Sequence, residues 1–134
     1  MLDPVVEEAV IRSTLSRYAR AWGDRDRDAW LGSFSPDATQ VDPVGTPPRT
    51  GHGPIGAFWD RAMAVYAHIE LRPGKVHVCG DEAAMTWQIV GEDPEGWISF
   101  DGIDVFTFST DGRIASVRAY WRQDAKRRLN ARPD

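Results

Sequence analysis

Residues 98–108 show a two-residue alternation that predicts a β-strand with one buried face. In a strand the even-numbered side chains share that face, and most of them are large and apolar. The face consists of Ile98, Phe100, Gly102, Asp104, Phe106 and Phe108. Gly102 leaves room for another group to approach, and Asp104 brings a carboxyl group among apolar side chains. The strand therefore belongs to a sheet with a core on one side, and Asp104 is its exceptional residue.

An ionised Asp104 would lose much of its hydration on this face, so the protonated acid is the expected form. A neutral carboxylic acid in an apolar hollow can donate a hydrogen bond to a bound oxygen that gains negative charge. The alternative is structural: Asp104 pairs with a cation such as Arg118, or accepts hydrogen bonds from backbone N–H groups. Asp101 falls on the opposite face and is expected to be solvated.

Composition predicts one soluble globular domain over residues 1–122, because 42% of the chain is hydrophobic and 27% is charged. The net charge of −4 argues against nucleic acid as a partner. Cys79 is the single cysteine, so no internal disulfide forms and a cytoplasmic location is expected. No signal sequence and no apolar run of about 20 residues is present, which argues against membrane association.

The first predicted element is a helix over residues 4–22, with Asp3 as its N-cap and Pro4 at its first position. Its apolar stripe consists of Ile11, Leu15, Tyr18 and Trp22. Tyr18 therefore points its hydroxyl inwards. Gly23 is expected to end this helix.

Two further helices are predicted, over residues 26–34 and from Gly53 to Tyr66, with a short strand over 38–42 between them. The prolines in 42–48 exclude a helix there. From residue 68 the period becomes two, which predicts strands over 68–79, 82–91, 96–109 and 112–122. Helices first and strands afterwards indicate an α+β fold, in which three helices pack on the concave side of a curved antiparallel sheet. Residues 123–134 form a basic tail that is expected to be flexible.

Three residues combine into a candidate site: Tyr18 on the inner helix face, Asp104 on the apolar strand face, and Asp42 fixed by Pro43 at a strand end. Each has a structural alternative. A helical tyrosine in an apolar stripe is usually part of the core, and an aspartate before proline usually forms a turn.

Longer strings surround these residues. Residues 42–48 read Asp-Pro-Val-Gly-Thr-Pro-Pro, and 55–59 read Ile-Gly-Ala-Phe-Trp; residues 100–105 read Phe-Asp-Gly-Ile-Asp-Val, followed by Asp-Gly-Arg-Ile at 111–114 and Ala-Tyr-Trp at 119–121. With Arg17-Tyr18 ahead of Gly23-Asp24, the chain resembles the bacterial Δ5-3-ketosteroid isomerases. These belong to the nuclear transport factor 2-like (SnoaL-like) superfamily of cone-shaped α+β barrels. The resemblance weakens over residues 65–97.

The resemblance implies that Asp42 is a general base and that Tyr18 and Asp104 are the two donors of an oxyanion hole. It implies a flat apolar ketone such as a steroid as substrate, no cofactor or metal, and a homodimer packed through the outer face of the sheet. The implied substrate-binding residues are Phe58, Trp59, Phe100 and Trp121. Familiar members back the oxyanion tyrosine with two further tyrosines, and here Phe34 and Trp59 occupy those positions.

Two other functions are compatible with the same residues. One is a related cyclase or epoxide hydrolase that uses an acidic residue on another apolar substrate. The other is a non-catalytic module that binds a hydrophobic small molecule or a partner protein. The histidines His52, His68 and His77 lack metal-ligand spacing, and Cys79 is expected to be buried in a strand and inert.

Overall fold

A computed structural model describes residues 6–134, so the predicted cap at Asp3 and Pro4 lies outside the described residues. The three helices are α1 (Glu8–Asp24), α2 (Arg27–Gly32) and α3 (His52–Val65). The seven strands are β1 (Phe34–Val41), β2 (Arg49–Thr50), β3 (His68–Cys79), β4 (Glu82–Asp93), β5 (Gly96–Phe108), β6 (Ile114–Tyr120) and β7 (Arg127–Arg128).

The strands form one curved, open sheet in the order β2-β1-β6-β5-β4-β3, and β7 pairs with β5 outside this order. The predicted α+β architecture with three helices is confirmed. The sheet is mixed, because β1 runs parallel to β6 while the other pairs are antiparallel. An interruption of the β3–β4 register between Pro73 and Val76 adds local bending.

Helix α1 differs from its prediction at both ends. It begins at Glu8 rather than near Pro4, with Glu7 as its N-cap. It continues past Gly23 to Asp24, and Arg25 takes the left-handed conformation with φ 53°. Its buried face includes Ile11, Leu15, Tyr18 and Trp22, as the periodicity predicts. Helix α2 begins as predicted, because the Asp26 side chain accepts a hydrogen bond from the Ala29 N–H at 3.1 Å.

The core lies between the helices and one face of the sheet, and its centre is aromatic. Strand β5 alternates as predicted: Ile98, Phe100, Asp104, Phe106 and Phe108 are buried, while Asp101 on the opposite face is exposed. The aromatic centre consists of Tyr18, Trp22, Trp30, Phe34, Trp59 and Phe106. This core fixes α1 against β5 and so sets the position of Tyr18 relative to Asp104.

The segment after Trp121 packs on the sheet. It forms a short 3-10 turn (Gln123–Ala125), and β7 then pairs with Ile98 and Ser99 of β5. Arg128 holds Asp93 through two hydrogen bonds of 2.7 and 2.9 Å. The flexibility of residues 123–134 stays a prediction. Among residues 6–134, no helix is long and apolar enough to cross a bilayer.

Candidate functional site

A cavity of about 440 Å³ opens between the helices and the concave face of the sheet. Its volume is in the range typical of small-molecule sites. Much of its wall is apolar, including Trp22, Ile69, Leu71, Trp87, Ile89 and Phe100. Tyr18, Asp42 and Asp104 all line it. The structure thus brings together three residues that lie on α1, directly after β1, and on β5.

Tyr18 lies deep in this cavity, and only 3% of its surface is exposed. Its ring packs edge-on against Phe34 and Phe106, with ring centroids 5.9 and 5.4 Å away. Burial raises the pKa of its hydroxyl well above the usual value, and the carboxyls of Asp104 and Asp42 raise it further. Tyr18 therefore keeps its proton and can act as a hydrogen-bond donor.

Asp104 is 2% exposed and points into the same cavity from β5. Burial, and then the charge of Asp42, raise the pKa of its carboxyl well above the ordinary value. Among the described residues it forms no ion pair, and Arg118 is exposed and bonds Tyr120 instead. The alternative of an Asp104–Arg118 pair is therefore wrong. Asp104 lies opposite Ala119 on the buried face of the sheet, whereas Arg118 lies on the other face.

Asp42 follows β1 directly and is partly buried. Its Oδ1 accepts a hydrogen bond of 2.6 Å from Nε1 of Trp121. Burial raises the pKa of Asp42, whereas the Trp121 N–H and the charge of Arg49 oppose this shift. The position of Asp42 is fixed by the β1–β6 pairing and by a 2.8 Å hydrogen bond from the Val44 N–H to the Ala119 carbonyl.

Two indole groups next to the deep end of the cavity were not predicted from the sequence. The Nε1 atoms of Trp30 and Trp87 are buried and have no hydrogen-bond partner among the described residues. Trp30 opposes the upward shift of the Tyr18 pKa, and Trp87 does the same for Asp104. The Trp30 ring lies 6.0 Å from that of Tyr18, and Trp87 lines the cavity together with Asp104. The sequence showed a tryptophan at position 87 but not its partner. The structure shows that Trp87 lies opposite Gly102 on the neighbouring strand.

The room left by Gly102 is filled by that indole. A Cβ atom at Gly102 would collide with the Trp87 ring and with the Tyr120 carbonyl. The glycine thus leaves space for the Trp87 ring, which forms part of the cavity wall. The group that approaches Gly102 belongs to the protein itself.

Of the four predicted binding residues, Phe58, Phe100 and Trp121 line the cavity. Trp59 does not line it. Its ring packs against Trp22 and Trp30, with centroids 4.6 and 5.0 Å away, and only 2% of its surface is exposed. Helix α3 turns this face towards the core, so Trp59 is placed to support the cavity wall from behind.

Cys79 is exposed, which makes its predicted burial wrong. It is the last residue of β3, next to the turn at Gly80, where the strand has left the core. No group of three or more histidine, cysteine or acidic side chains in residues 6–134 is arranged to hold a metal ion.

Comparisons with known proteins agree with this fold. The family profile described as a SnoaL-like domain matches residues 15–117, which is most of the chain. The chain therefore belongs to the SnoaL-like family, within the nuclear transport factor 2-like fold. It is 29% identical over 113 residues to the steroid Δ-isomerase of Nocardioides simplex, covering 84% of this chain and 90% of that protein.

Two solved structures share the fold. The epoxide hydrolase/cyclase-like enzyme SalBIII, which has a role in pyran ring formation in the polyether salinomycin, superposes with a TM-score of 0.81. It is 25% identical, and the match covers 90% of this chain and 96% of SalBIII. RV0760c from Mycobacterium tuberculosis, in complex with estradiol-17β-hemisuccinate, superposes with a TM-score of 0.79 at 21% identity, covering 89% of this chain and 98% of that one.

Proposed function

We propose that this protein is a steroid Δ5-3-ketone isomerase, which moves a β,γ double bond into conjugation with a ketone. The observation that carries the proposal is the meeting of Tyr18, Asp104 and Asp42 in one largely apolar cavity. Two of these groups hold their protons tightly, and the third is partly buried beside the donor Trp121. The 29% identity to a steroid Δ-isomerase supports the same reaction.

The reaction follows from these proton affinities. Asp42, as the carboxylate, removes a proton from the carbon between the carbonyl and the double bond. The electron pair moves towards the carbonyl oxygen and gives a dienolate. Tyr18 and the neutral Asp104 donate hydrogen bonds to that oxygen. Asp42 then returns the proton two carbons further along, so no atom or electron is gained or lost overall.

Electrostatic interactions among the three groups favour an ionised base together with protonated donors. The negative charge of Asp42 raises the pKa of both Tyr18 and Asp104, so an ionised base favours protonated donors. The Trp121 N–H and the charge of Arg49 in turn favour the ionised form of Asp42. The carboxyl with hydrogen-bonding and cationic neighbours is therefore the base, and the carboxyl in the apolar hollow is the acid.

A flat, steroid-like ketone fits the cavity. Phe100 and Trp121, with ring centroids 4.9 Å apart, offer adjoining aromatic surfaces close to Asp42. RV0760c, which shares the fold, forms a complex with estradiol-17β-hemisuccinate, and this supports a steroid-like ligand here. We therefore assign Phe58, Phe100 and Trp121 to substrate binding, and Trp59 to support of the wall behind them.

A second candidate is a cyclase or epoxide hydrolase reaction on another apolar substrate. The 25% identity and close superposition with SalBIII favour it. That chemistry also needs an acidic residue for proton transfer, which Asp42 or Asp104 can supply. It differs from the isomerase in that it opens or closes a carbon–oxygen bond, whereas the isomerase only moves a proton.

The test is the conversion of 5-androstene-3,17-dione, followed through the absorbance of its conjugated enone product. We expect a rate far above that in buffer, and a rate equal to that in buffer would end the isomerase proposal. Binding of equilenin, a phenolic steroid, gives a second measurement. An oxyanion hole favours it over its 3-deoxy counterpart, because the phenolate resembles the dienolate. Equal affinities would instead indicate a binding module.

We also propose a homodimer through the outer face of the sheet. Ile103 and Tyr120 are cross-strand partners on β5 and β6, and each is about half exposed, at 44% and 45%. Sizing at micromolar concentration should give a dimer, and a particle of 15.0 kDa would contradict this.

The cytoplasmic location stays a prediction.

A further inference from the structure

Three cationic side chains line the same cavity as Tyr18 and Asp104. They are Arg49, Arg61 and Lys126, which come from β2, from α3 and from the segment before β7. Among residues 6–134, the carboxyl groups in the cavity wall are those of Asp42 and Asp104. With Asp104 neutral, the cavity therefore carries an excess of positive charge. Apart from the effect of Arg49 on Asp42, the isomerisation of a neutral ketone does not use it.

None of these three cations forms an ion pair with a described residue. Other cations of the protein do: Arg27 bonds Asp60 at 2.9 Å, and Arg128 bonds Asp93 at 2.7 Å. Arg49 makes only a 3.4 Å hydrogen bond to the Asp42 carbonyl and lies over the Phe58 ring, 4.8 Å from its centroid. Arg49, Arg61 and Lys126 therefore line the cavity with charges that no ion pair within residues 6–134 neutralises.

The two arginines act on each other. Burial lowers the pKa of Arg49, the charge of Arg61 lowers it further, and the charge of Asp42 opposes both. Like charges that line one cavity repel each other unless an anion lies between them or solvent screens them. Two planar guanidinium groups are well suited to a carboxylate, because each can donate two hydrogen bonds to it.

Lys126 adds a third charge on another side of the cavity. Its ammonium lies 5.2 Å from the centroid of Phe100 and 5.3 Å from that of Trp121. Those rings form the aromatic surface assigned above to the substrate, so Lys126 would lie beside one end of a bound ring system. Its partial burial lowers its pKa, the charge of Asp93 opposes this shift, and the charge of Arg128 adds to it.

The exposure of these groups differs along the cavity: the two hydrogen-bond donors are the most buried, and the cations are closer to solvent. Tyr18 and Asp104 are 3% and 2% exposed, whereas Arg61 is exposed and Arg49 and Lys126 are partly buried. A ligand whose ketone lies between Tyr18 and Asp104 would place its other end among the cations. We propose that the substrate carries an acidic group, such as a carboxylate side chain, at the end remote from its ketone, and that Arg49, Arg61 and Lys126 bind it. This inference rests on the proposed function for the placement of the ketone.

The test compares two product-like ligands that differ by one charge: 3-oxo-4-androstene-17β-carboxylic acid and its methyl ester. Their dissociation constants are measured by calorimetry, which needs no turnover. We expect the acid to bind at least about tenfold more tightly than the ester, because charge-assisted hydrogen bonds are stronger than neutral ones. This ratio should fall as salt is raised from low to high concentration, since salt screens the cations.

Variants locate the effect. In the double variant Arg61→Gln/Lys126→Gln, the ratio of the two dissociation constants should fall towards one. The matched control is Arg118→Gln, which removes an exposed arginine from the outer face of the sheet and should keep the ratio of the native protein. Arg49 is left in place because its charge acts on Asp42.

The outcomes separate the two proposals. Equal affinities for acid and ester in the native protein, or an unchanged ratio in the double variant, would overturn the acidic-substrate inference alone. If neither ligand binds, the proposed steroid-like ligand class fails as well. If the double variant does not fold, the salt dependence of the native ratio decides, and a ratio that salt leaves constant would contradict the inference.

Discussion

Nε1 of Trp121 donates a 2.6 Å hydrogen bond to Oδ1 of Asp42, and so links the end of β6 to the loop after β1. The parallel pairing of these two strands makes the link possible, because it carries both residues to the same end of the sheet. The bond opposes the effect of burial on the pKa of Asp42. The proposed base is thereby tuned by an aromatic residue that also lines the ligand cavity.

Replacing Trp121 by phenylalanine should move the acid limb of the pH profile of kcat/KM to higher pH. The variant keeps an aromatic ring but loses the N–H that lowers the pKa of Asp42. The matched control is Trp97→Phe, a tryptophan that stacks on His68 outside the cavity, and it should leave the profile unchanged. An unshifted limb in Trp121→Phe would show that the hydrogen bond does not tune the base.

Asp42→Asn should remove the proposed base while keeping the shape of the site. We expect turnover of 5-androstene-3,17-dione to fall by at least about 10²- to 10⁴-fold, the usual contribution of a positioned base. Affinity for equilenin should be retained, because Tyr18 and Asp104 are untouched. Asp101→Asn, on the exposed face of β5, is the control. Turnover near the native level in Asp42→Asn would exclude Asp42 as the base.

At position 104 two substitutions separate a hydrogen-bond donor from a space-filling residue. Asp104→Asn keeps a donor, whereas Asp104→Leu has none. We expect the leucine variant to lose about 3 kcal/mol of transition-state stabilisation, or roughly 100-fold in kcat, and the asparagine variant to lose less. Steady-state kinetics and circular dichroism of both variants provide the measurement. Equal losses in the two folded variants would rule out the donor role.

The stability of the protein should depend on pH through Asp104. Its pKa is raised in the folded state, so its contribution to stability is complete below the unfolded-state pKa and is lost as the pH rises through the folded-state pKa. Asparagine does not titrate. From about pH 4 upwards, the free energy of unfolding should therefore fall more in the native protein than in Asp104→Asn. Denaturant titrations at several pH values measure this, and parallel pH curves would refute it.

Gly102→Ala should disturb the cavity wall from the sheet side. The added methyl group would collide with the Trp87 ring and with the Tyr120 carbonyl, and overpacking of this kind typically costs about 1–3 kcal/mol. The control is Gly53→Ala in α3, where a Cβ atom meets no neighbour within 4 Å. Both the free energy of unfolding, measured by denaturant titration, and the affinity for equilenin should fall in Gly102→Ala. A native-like stability would mean that the Trp87 ring can move aside without destabilising the fold.

Periodicity was sufficient to predict which way the key side chains point. The stripe of α1 turns Tyr18 inwards, and the alternation of β5 buries Asp104 and exposes Asp101. These are local properties, because the helix and strand repeats fix side-chain direction without knowledge of the rest of the fold. The cavity-lining positions of Phe58, Phe100 and Trp121 followed from the family resemblance instead.

What the sequence did not predict depends on contacts between distant segments. The parallel β1–β6 pair joins strands that more than 70 residues separate. The positions of Trp30 and Trp87 beside the two donors depend on helix packing and on strand register. The charge excess formed by Arg49, Arg61 and Lys126 appears only when three elements converge. Periodicity carries none of this information.

The anchoring of β7 makes the last part of the chain a component of the cavity. Arg128 is fixed to Asp93, and this holds Lys126 over Phe100 and Trp121. Proteolytic trimming after Trp121 would leave Tyr18, Asp42 and Asp104 intact and yet open the enclosure around them. Protein that has lost this segment during purification would then still contain Tyr18, Asp42 and Asp104 and yet bind its ligand poorly.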